Sequence, residues 1–360
     1  MQTGSPAAKG QPRPNKVSRA YEIRALDQGE FARWDEFVQK SPQGTLFHTT
    51  LWLEASGVPF RLLGCFRGGE MHGGCAIGIV GHRTAGRPYP SFTPYLGVLY
   101  PSSNAKYVTE ISNNKEIGSA FAVFLKGEFD RVVDLAFSPE VVDLQPFIWQ
   151  GFTIELRYTY RLSITDLRCV FDNMDAGRRR NVVSAEKQGV QVEVGADFGE
   201  IVRLSEKSFE RQSLVATHGQ AAKTFEAALR RAGQCLGFLA RSNEGETLGA
   251  VWIAWDEKRA YYLLGGYDPS AKSNNAVALA MWRAIQFTAT DLKLPEFDFE
   301  GSAIPAVEQF FRKFGGTLTP YHCIRYRRPS SVRRMARDLA LTVLGQRVTR
   351  NLARIVRELG

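Results

Sequence analysis

Residues 132–151 read VVDLAFSPEVVDLQPFIWQG, and residues 296–315 read EFDFEGSAIPAVEQFFRKFG. Set one under the other, they share a constant offset of 164 positions. Asp134 falls on Asp298, Ser138 on Ser302 and Gly151 on Gly315, and further on Arg161 falls on Arg325. A fixed spacing across strand, helix and strand points to a duplicated unit. The same order recurs upstream. FRLLGCFRGGEMHGGCAIGIV from Phe60 and LGFLARSNEGETLGAVWIAW from Leu236 each read as strand, glycine turn, strand. PYLGVLYPSS and YYLLGGYDPS follow, then segments with helical spacing. Each unit therefore reads as a three-stranded antiparallel meander, a helix, a strand, a second helix and a closing strand. The fold class expected is α/β in the α+β sense, with mixed sheets. The last helix of the second unit is AVEQFFRKFGG: Val307, Phe310, Phe311 and Phe314 recur at helical spacing, and Gly315–Gly316 stop it.

A chain of 360 residues has room for two such domains. The divisions expected are a disordered basic arm over 1–20, a first domain over 21–157, a second over 158–328 and a basic amphipathic helical tail over 329–360. Hydrophobic content of 44% and charged content of 23% place the chain among soluble globular proteins. The arm lacks the apolar stretch of a signal peptide, and no apolar run approaches the roughly 20 residues of a membrane helix. Cys65, Cys75, Cys169, Cys235 and Cys323 stand singly, which argues for reduced thiols and a cytoplasmic setting. No metal site is expected. The net charge of +9 favours anionic partners. Much of it sits in the tail, where Val348, Leu352, Ile355 and Leu359 share one helical face and Arg347, Arg350, Arg354 and Arg357 another. Two expectations stand side by side: peripheral contact of 331–360 with an anionic membrane at its inner face, or a helix docked on the protein's own body.

Chemistry is sought where the second unit departs from the first. Asp298 and Glu300 alternate with Phe297 and Phe299, so a two-residue period puts both carboxylates on one face. Asp298 has a counterpart in Asp134 and fits a structural role beside a substrate contact. Glu300 faces Ala136 and is the candidate general base. Arg312 and Lys313 face Ile148 and Trp149, and are candidates to hold a phosphate or a developing negative charge; the alternative is a solvated helix face. Ser273, Asn274 and Asn275, in the loop YDPSAKSNN, can cap a helix whose N–H groups bind the anionic end of a cofactor. Between the units, DNMDAGRRRNVVSAEKQGV reads as a basic helix capped by Asp172 or Asn173 and ended at Gly189. Substrate contacts are assigned to Tyr95, Arg180, Tyr262, Tyr267, Asp298, Ser302, Phe311 and Tyr321, with a core role the alternative for the aromatic ones.

Taken together, GRRRNVVSAEKQGV, GETLGAVWIAW, YYLLGGYDP, and DFEGS with VEQFFRKFGG resemble the FemAB-like branch of the GNAT acyltransferase superfamily. The early FHTTLWLEA and TPYLGVLYP fit as well, so the resemblance runs from about residue 30 to 328. It implies two tandem GNAT-like domains with a substrate groove between them. It also implies transfer of an acyl or aminoacyl group to an amine of a cell-envelope glycan precursor, peptidoglycan or surface polysaccharide, or a similar metabolite. The donor implied is acyl-CoA or aminoacyl-tRNA, and the acceptor a glycan or nucleotide-sugar. Members of the branch often carry a lysine where this chain has Phe311; Arg312 or Lys313 could replace it, though one helical step turns a side chain by about 100°. Two other readings remain. A ligase dependent on aminoacyl-tRNA would bind tRNA in a salt-sensitive way. A catalytically silent binding or scaffold protein would keep the fold without the chemistry.

Overall fold

The computed structural model describes residues 20–86, 92–195, 197–211, 219–268, 275–301 and 304–329. The expected arm, except residue 20, and the tail 331–360 lie outside them. The first unit contains β1 (Glu22–Ala25), α1 (Phe31–Lys40), α2 (Thr50–Ala55), β2 (Phe60–Arg67), β3 (Glu70–Gly81), β4 (Thr84–Gly86) and β5 (Gly97–Leu99). It continues with α3 (Tyr107–Glu128), β6 (Arg131–Ala136), α4 (Gln145–Trp149) and β7 (Thr153–Ser163). After α5 (Leu167–Asn173) and α6 (Ala176–Lys187) come β8 (Gln191–Val194), α7 (Phe198–Arg211), α8 (Gly219–Arg231), β9 (Cys235–Arg241) and β10 (Thr247–Trp255). The chain goes on through β11 (Ala260–Tyr267), α9 (Asn275–Thr290), β12 (Glu296–Asp298), α10 (Pro305–Arg312) and β13 (Thr317–Arg327).

Local signals place most of these elements. Gly151 and Gly315 end their helices at φ 84° and 85°, equal conformations at repeat-related positions. Pro305 opens α10, where its missing N–H costs nothing. The cap of α6 differs from expectation. Asp172 and Asn173 belong to the short α5, and Asp175 takes the N-cap, its carboxylate accepting from Gly177 N at 2.9 Å and Arg178 N at 3.2 Å.

All strands join one 13-stranded mixed sheet, in the order β1-β2-β3-β4-β6-β13-β7-β12-β11-β10-β9-β8, with β5 also on β3. Read outward from the centre, the two halves repeat the same strand order. The closing strands, however, are exchanged: β13 of the second unit lies on β6 of the first, and β7 lies on β12. The two pair antiparallel in a register that obeys the repeat. Arg157 lies opposite Tyr321, its own counterpart 164 positions on; Arg161 lies opposite Thr317 and Thr153 opposite Arg325, two pairs that the same shift interchanges. A pseudo-two-fold axis therefore passes between Arg157 and Tyr321. The exchange brings Arg161 to Asp298 (3.1 Å) and Arg325 to Asp134 (2.6 Å), the same ion pair on both sides of the axis. The expected boundary at 157/158 falls in the middle of β7, an unbroken strand of 11 residues, so the units share a seam with no linker.

Three cores hold the sheet. One gathers the first unit's side chains around Trp34, Phe121 and Phe147, and a second gathers the second unit's around Phe297, Phe299 and Phe311. The third crosses the seam: Phe47, Trp52 and Tyr95 of the first unit pack with Phe225, Trp252 and Tyr261 of the second. Trp52 stacks on Phe225 with centroids 4.4 Å apart.

Candidate active site

β11 and β12 run parallel but pair at two positions only, Ala260 with Phe297 and Tyr261 with Asp298. β11 continues to Tyr267, bound to β10 along its other edge. The chain after β12 turns away through Glu300, at φ 57°, and Gly301, at φ 72°. Past Tyr261, no described strand pairs with that edge of β11. Two parallel strands that part in this way leave a wedge walled by backbone N–H and C=O groups, which must find other partners.

The equivalent place in the first unit is shut. There the long third strand is broken into β4, which pairs with β6, and β5, which pairs only with β3. Leu96 N donates to Ala136 O at 2.7 Å, tying the second piece back to the end of β6. The Phe137 ring fills the remaining space, fully buried and 5.2 Å from Phe147, and a Cβ on Gly97 would run into it. The repeat puts Gly301 at the position of Phe137. Any side chain there would collide with the Tyr158 carbonyl oxygen. At this position of the repeat a ring fills the wedge of the first unit, whereas Gly301 brings no side chain to that of the second.

Glu300, Tyr262 and Phe311 meet at this opening. Strand alternation holds through Phe299: the Phe297 and Phe299 rings contact each other at 5.1 Å in the second core, and Asp298 points to the seam. It does not extend to Glu300, whose left-handed backbone turns it out of the strand, with its N–H donating to Asp298 Oδ1 at 2.8 Å. Burial, and after it the negative charge of Glu300, push the Tyr262 hydroxyl up, so it stays protonated. The Tyr262 ring lies edge-on to Phe311 at 5.2 Å, and Phe311 packs on Phe299 at 5.5 Å.

Other expected residues lie elsewhere. Phe311 faces inward, so Arg312 turns outward; its side chain is 59% exposed and pairs with Glu308 at 3.3 Å. Lys313 caps α10, and its carbonyl accepts from Asp175 N at 3.0 Å. Asp298 is fully buried and accepts from Thr159 Oγ1 (2.5 Å), Tyr95 OH (3.0 Å), Arg161 Nε (3.1 Å) and Glu300 N. Tyr95 and Tyr321 are buried at the seam with ring centroids 5.2 Å apart. Asp298 thus has the structural hydrogen bonds expected as one of its two roles, and Tyr95 and Tyr321 belong to the core that crosses the seam. Tyr267 ends β11, its N–H donating to Ser208 Oγ at 3.4 Å. Asn275 begins α9 and donates to Ser184 Oγ at 3.4 Å. Ser273, Asn274 and Ser302 lie outside the described residues.

Arg180 is exposed, and its neighbour Arg178 is the buried one. The Arg178 guanidinium sits 4.1 Å from the Phe310 centroid and 4.8 Å from that of Phe314, and donates to Phe310 O at 3.3 Å. Residue reading also missed an ion cluster at the seam. Arg161 joins Glu140 (2.5 Å) to Asp298, and Arg259 joins Glu140 (3.0 Å) to Glu296 (2.8 Å). Burial acts to raise the Glu140 carboxyl, but the hydrogen bond from Arg161 and the charges of both arginines outweigh it and hold Glu140 at about 2. Among the described residues no group of His, Cys, Asp and Glu is placed to hold a metal ion, and no helix is long and apolar enough to cross a membrane.

The family model for the acetyltransferase (GNAT) domain matches residues 174–312, the span that holds β11, β12, Glu300 and Phe311. This part of the chain is similar to GNAT acetyltransferase domains. No curated protein sequence matches the chain. Several solved structures share its fold. FemX superposes with a TM-score of 0.60 at 15% identity, covering 84% of this chain and 96% of FemX. A tandem GNAT protein from the clavulanic acid biosynthesis pathway gives 0.52 at 10% identity, covering 87% of this chain and all of that one. The C-terminal domain of a putative lysylphosphatidylglycerol synthetase from Agrobacterium fabrum gives 0.52 at 11%, covering 89% and 96%. The whole chain thus has the tandem GNAT fold. The match to the acetyltransferase (GNAT) domain model falls on the second unit of that fold.

Proposed function

We propose that this protein transfers an acyl group from an acyl-CoA thioester to a primary amine, with Glu300 and Tyr262 at the reacting centre. One observation carries the reading: in the span matched by the family model β11 and β12 part after two paired positions, whereas in the repeat Leu96 N bonds to Ala136 O and the Phe137 ring packs into the gap. The arm of coenzyme A is an extended chain with two amides, suited to pair with the open backbone edge of β11 as an added strand would. The amine attacks the thioester carbonyl, the C–N bond forms and the C–S bond breaks. Glu300 accepts the proton released by the amine. Tyr262, held neutral, donates to the leaving sulfur and recovers its proton from Glu300, so the proton count closes. We place the acceptor amine on a cell-envelope glycan precursor, the class the family resemblance implies.

Glu300→Gln should keep acyl-CoA affinity, read by calorimetry, and lower turnover with an amine acceptor by roughly 10²–10⁴. The wild-type chain should bind acyl-CoA and ignore charged tRNA. Binding of charged tRNA without acyl-CoA would overturn the donor assignment. Unchanged turnover in Glu300→Gln would overturn the general base.

A further inference from the structure

On the face of the sheet opposite the seam-crossing core, part of the seam is exposed among the described residues. Alternate residues of β7 and β13 form its floor: Leu156, Tyr158 and Leu318 are 49%, 47% and 51% exposed. Their cross-strand partners are His322, Pro320 and Tyr160, the last of them buried in the second unit's core. Toward the first unit the floor runs into a hollow of about 490 Å³ between the start of α3, the 142–145 loop and α4. The rim of the hollow is an apolar ridge: Tyr107, Val142 and Ile148 line it, exposed by 74%, 74% and 54%, and Trp149, exposed by 63%, follows Ile148 on α4 with its ring 5.3 Å from the Lys115 ammonium.

These seven side chains present roughly 800 Å² of surface, taking a large side chain at about 150–250 Å² when fully exposed. A monomer's largest apolar patch is about 300–600 Å², and one side of a standard protein interface is about 800 Å². The patch is therefore too large for an idle surface and the right size for half of a dimer contact. Its charge speaks for a protein partner. In the hollow the ammonium of Lys115 is paired with Asp143 at 2.5 Å, which leaves no positive excess there to attract an anionic bilayer. Its shape speaks for a like partner. A two-fold contact needs one surface that complements itself, and here the exposed Trp149 ring and the hollow lie side by side. An exposed Trp such as Trp149 is the kind of anchor that dominates such contacts.

We infer that two copies of this chain associate through the β7/β13 seam face, the ridge around Trp149 of each seated in the hollow of the other. The face is separate from the wedge at Glu300, so the inference stands whether or not the acyl-CoA reading does.

Sedimentation velocity on the full chain, up to about 100 µM, tests it, since a contact of this size commonly gives micromolar or tighter affinity. The wild type should sediment at twice the chain mass. The Val142→Glu/Trp149→Glu variant, two exposed changes expected to leave the circular dichroism spectrum unaltered, should sediment as a monomer, with dissociation constant raised at least 100-fold. A monomeric wild type overturns the inference, and so does a dimer that survives both glutamates. A chain ending at Ser330 that dimerises where the full chain does not also overturns it, and assigns the face to residues 331–360.

Discussion

Gly301 and Phe137 occupy one position of the repeat and have opposite duties, so they can be separated by substitution. Gly301→Ala puts a methyl against the Tyr158 carbonyl in a backbone at φ 72°, where an L side chain is already strained. The variant should lose about 2 kcal/mol or more of stability in urea melts, and the displaced 300–301 backbone should weaken acyl-CoA binding at least 10-fold. Phe137→Ala removes a fully buried ring and should cost about 3–5 kcal/mol. It should leave acyl-CoA affinity unchanged in material that remains folded. Equal effects of both changes on binding would mean that the two wedges are not functionally distinct. The contrast also bears on Glu300. Its counterpart is an alanine that only continues a strand, whereas its own left-handed backbone holds the carboxylate beside Tyr262 at the mouth of the opening.

Among the elements, α10 decides whether the aromatic side of the wedge is in place, because it carries Phe311 to Tyr262. What clamps α10 is Arg178 of α6, laid over Phe310 and Phe314 with Nε and Nη1 lacking a described hydrogen-bond partner. Burial lowers the guanidinium to about 10, with Asp175 resisting. Its packing stabilises and its charge opposes, which predicts a split. Arg178→Met keeps the volume and drops the charge, and should be neutral or stabilising by about 1 kcal/mol. Arg178→Ala loses both and should cost about 2 kcal/mol, with turnover falling as α10 loosens. If the urea midpoint of the methionine variant drops as far as that of alanine, the charge itself is stabilising. Much at this scale was readable beforehand. The two hairpins, the helix ended by Gly315 and the order of elements follow from turn residues and periodicity, which act over a few positions. The exchange of β7 and β13 was not readable, because either closing strand satisfies the same alternation and only tertiary pairing selects the neighbour. The broken third strand was hidden likewise: PYLGVLYPSS looks like YYLLGGYDPS, but Phe137 takes the room a continuous strand would need. For Tyr95, Asp298 and Tyr321 sequence left both a substrate contact and a structural or core role open, since polar and aromatic residues serve both ends alike, and the fold places all three at the seam.

The whole molecule depends on that seam, where two arginines bind three carboxylates across strands of both units. Glu140 comes from the first unit's loop after β6, Arg161 from the exchanged strand β7, and Arg259, Glu296 and Asp298 from the second unit, so the cluster couples the halves. Its pH dependence has a definite sign. Glu140 is held at about 2 in the folded chain, below the ordinary carboxyl value near 4.3 of an unfolded one. Its contribution is present in full above about pH 4.5 and fades as pH falls from there toward 2. A shift of this size corresponds to up to about 3 kcal/mol. Glu296 moves the other way. Burial raises its carboxyl against the pull of Arg259 and Arg161, so protonation relieves it first on acidification and offsets part of the loss. Urea melts between pH 7 and pH 3 should therefore show stability lost mainly below pH 4.5, with both units unfolding together because they share β7 and β13. Glu140→Gln should be less stable than wild type at pH 7, with a flatter profile, so that the gap between the two curves narrows to roughly half by pH 3. Parallel curves for the two proteins would show that Glu140 does not carry the acid sensitivity. Two separate transitions in the wild type would show that the exchanged strands do not make the halves one cooperative body.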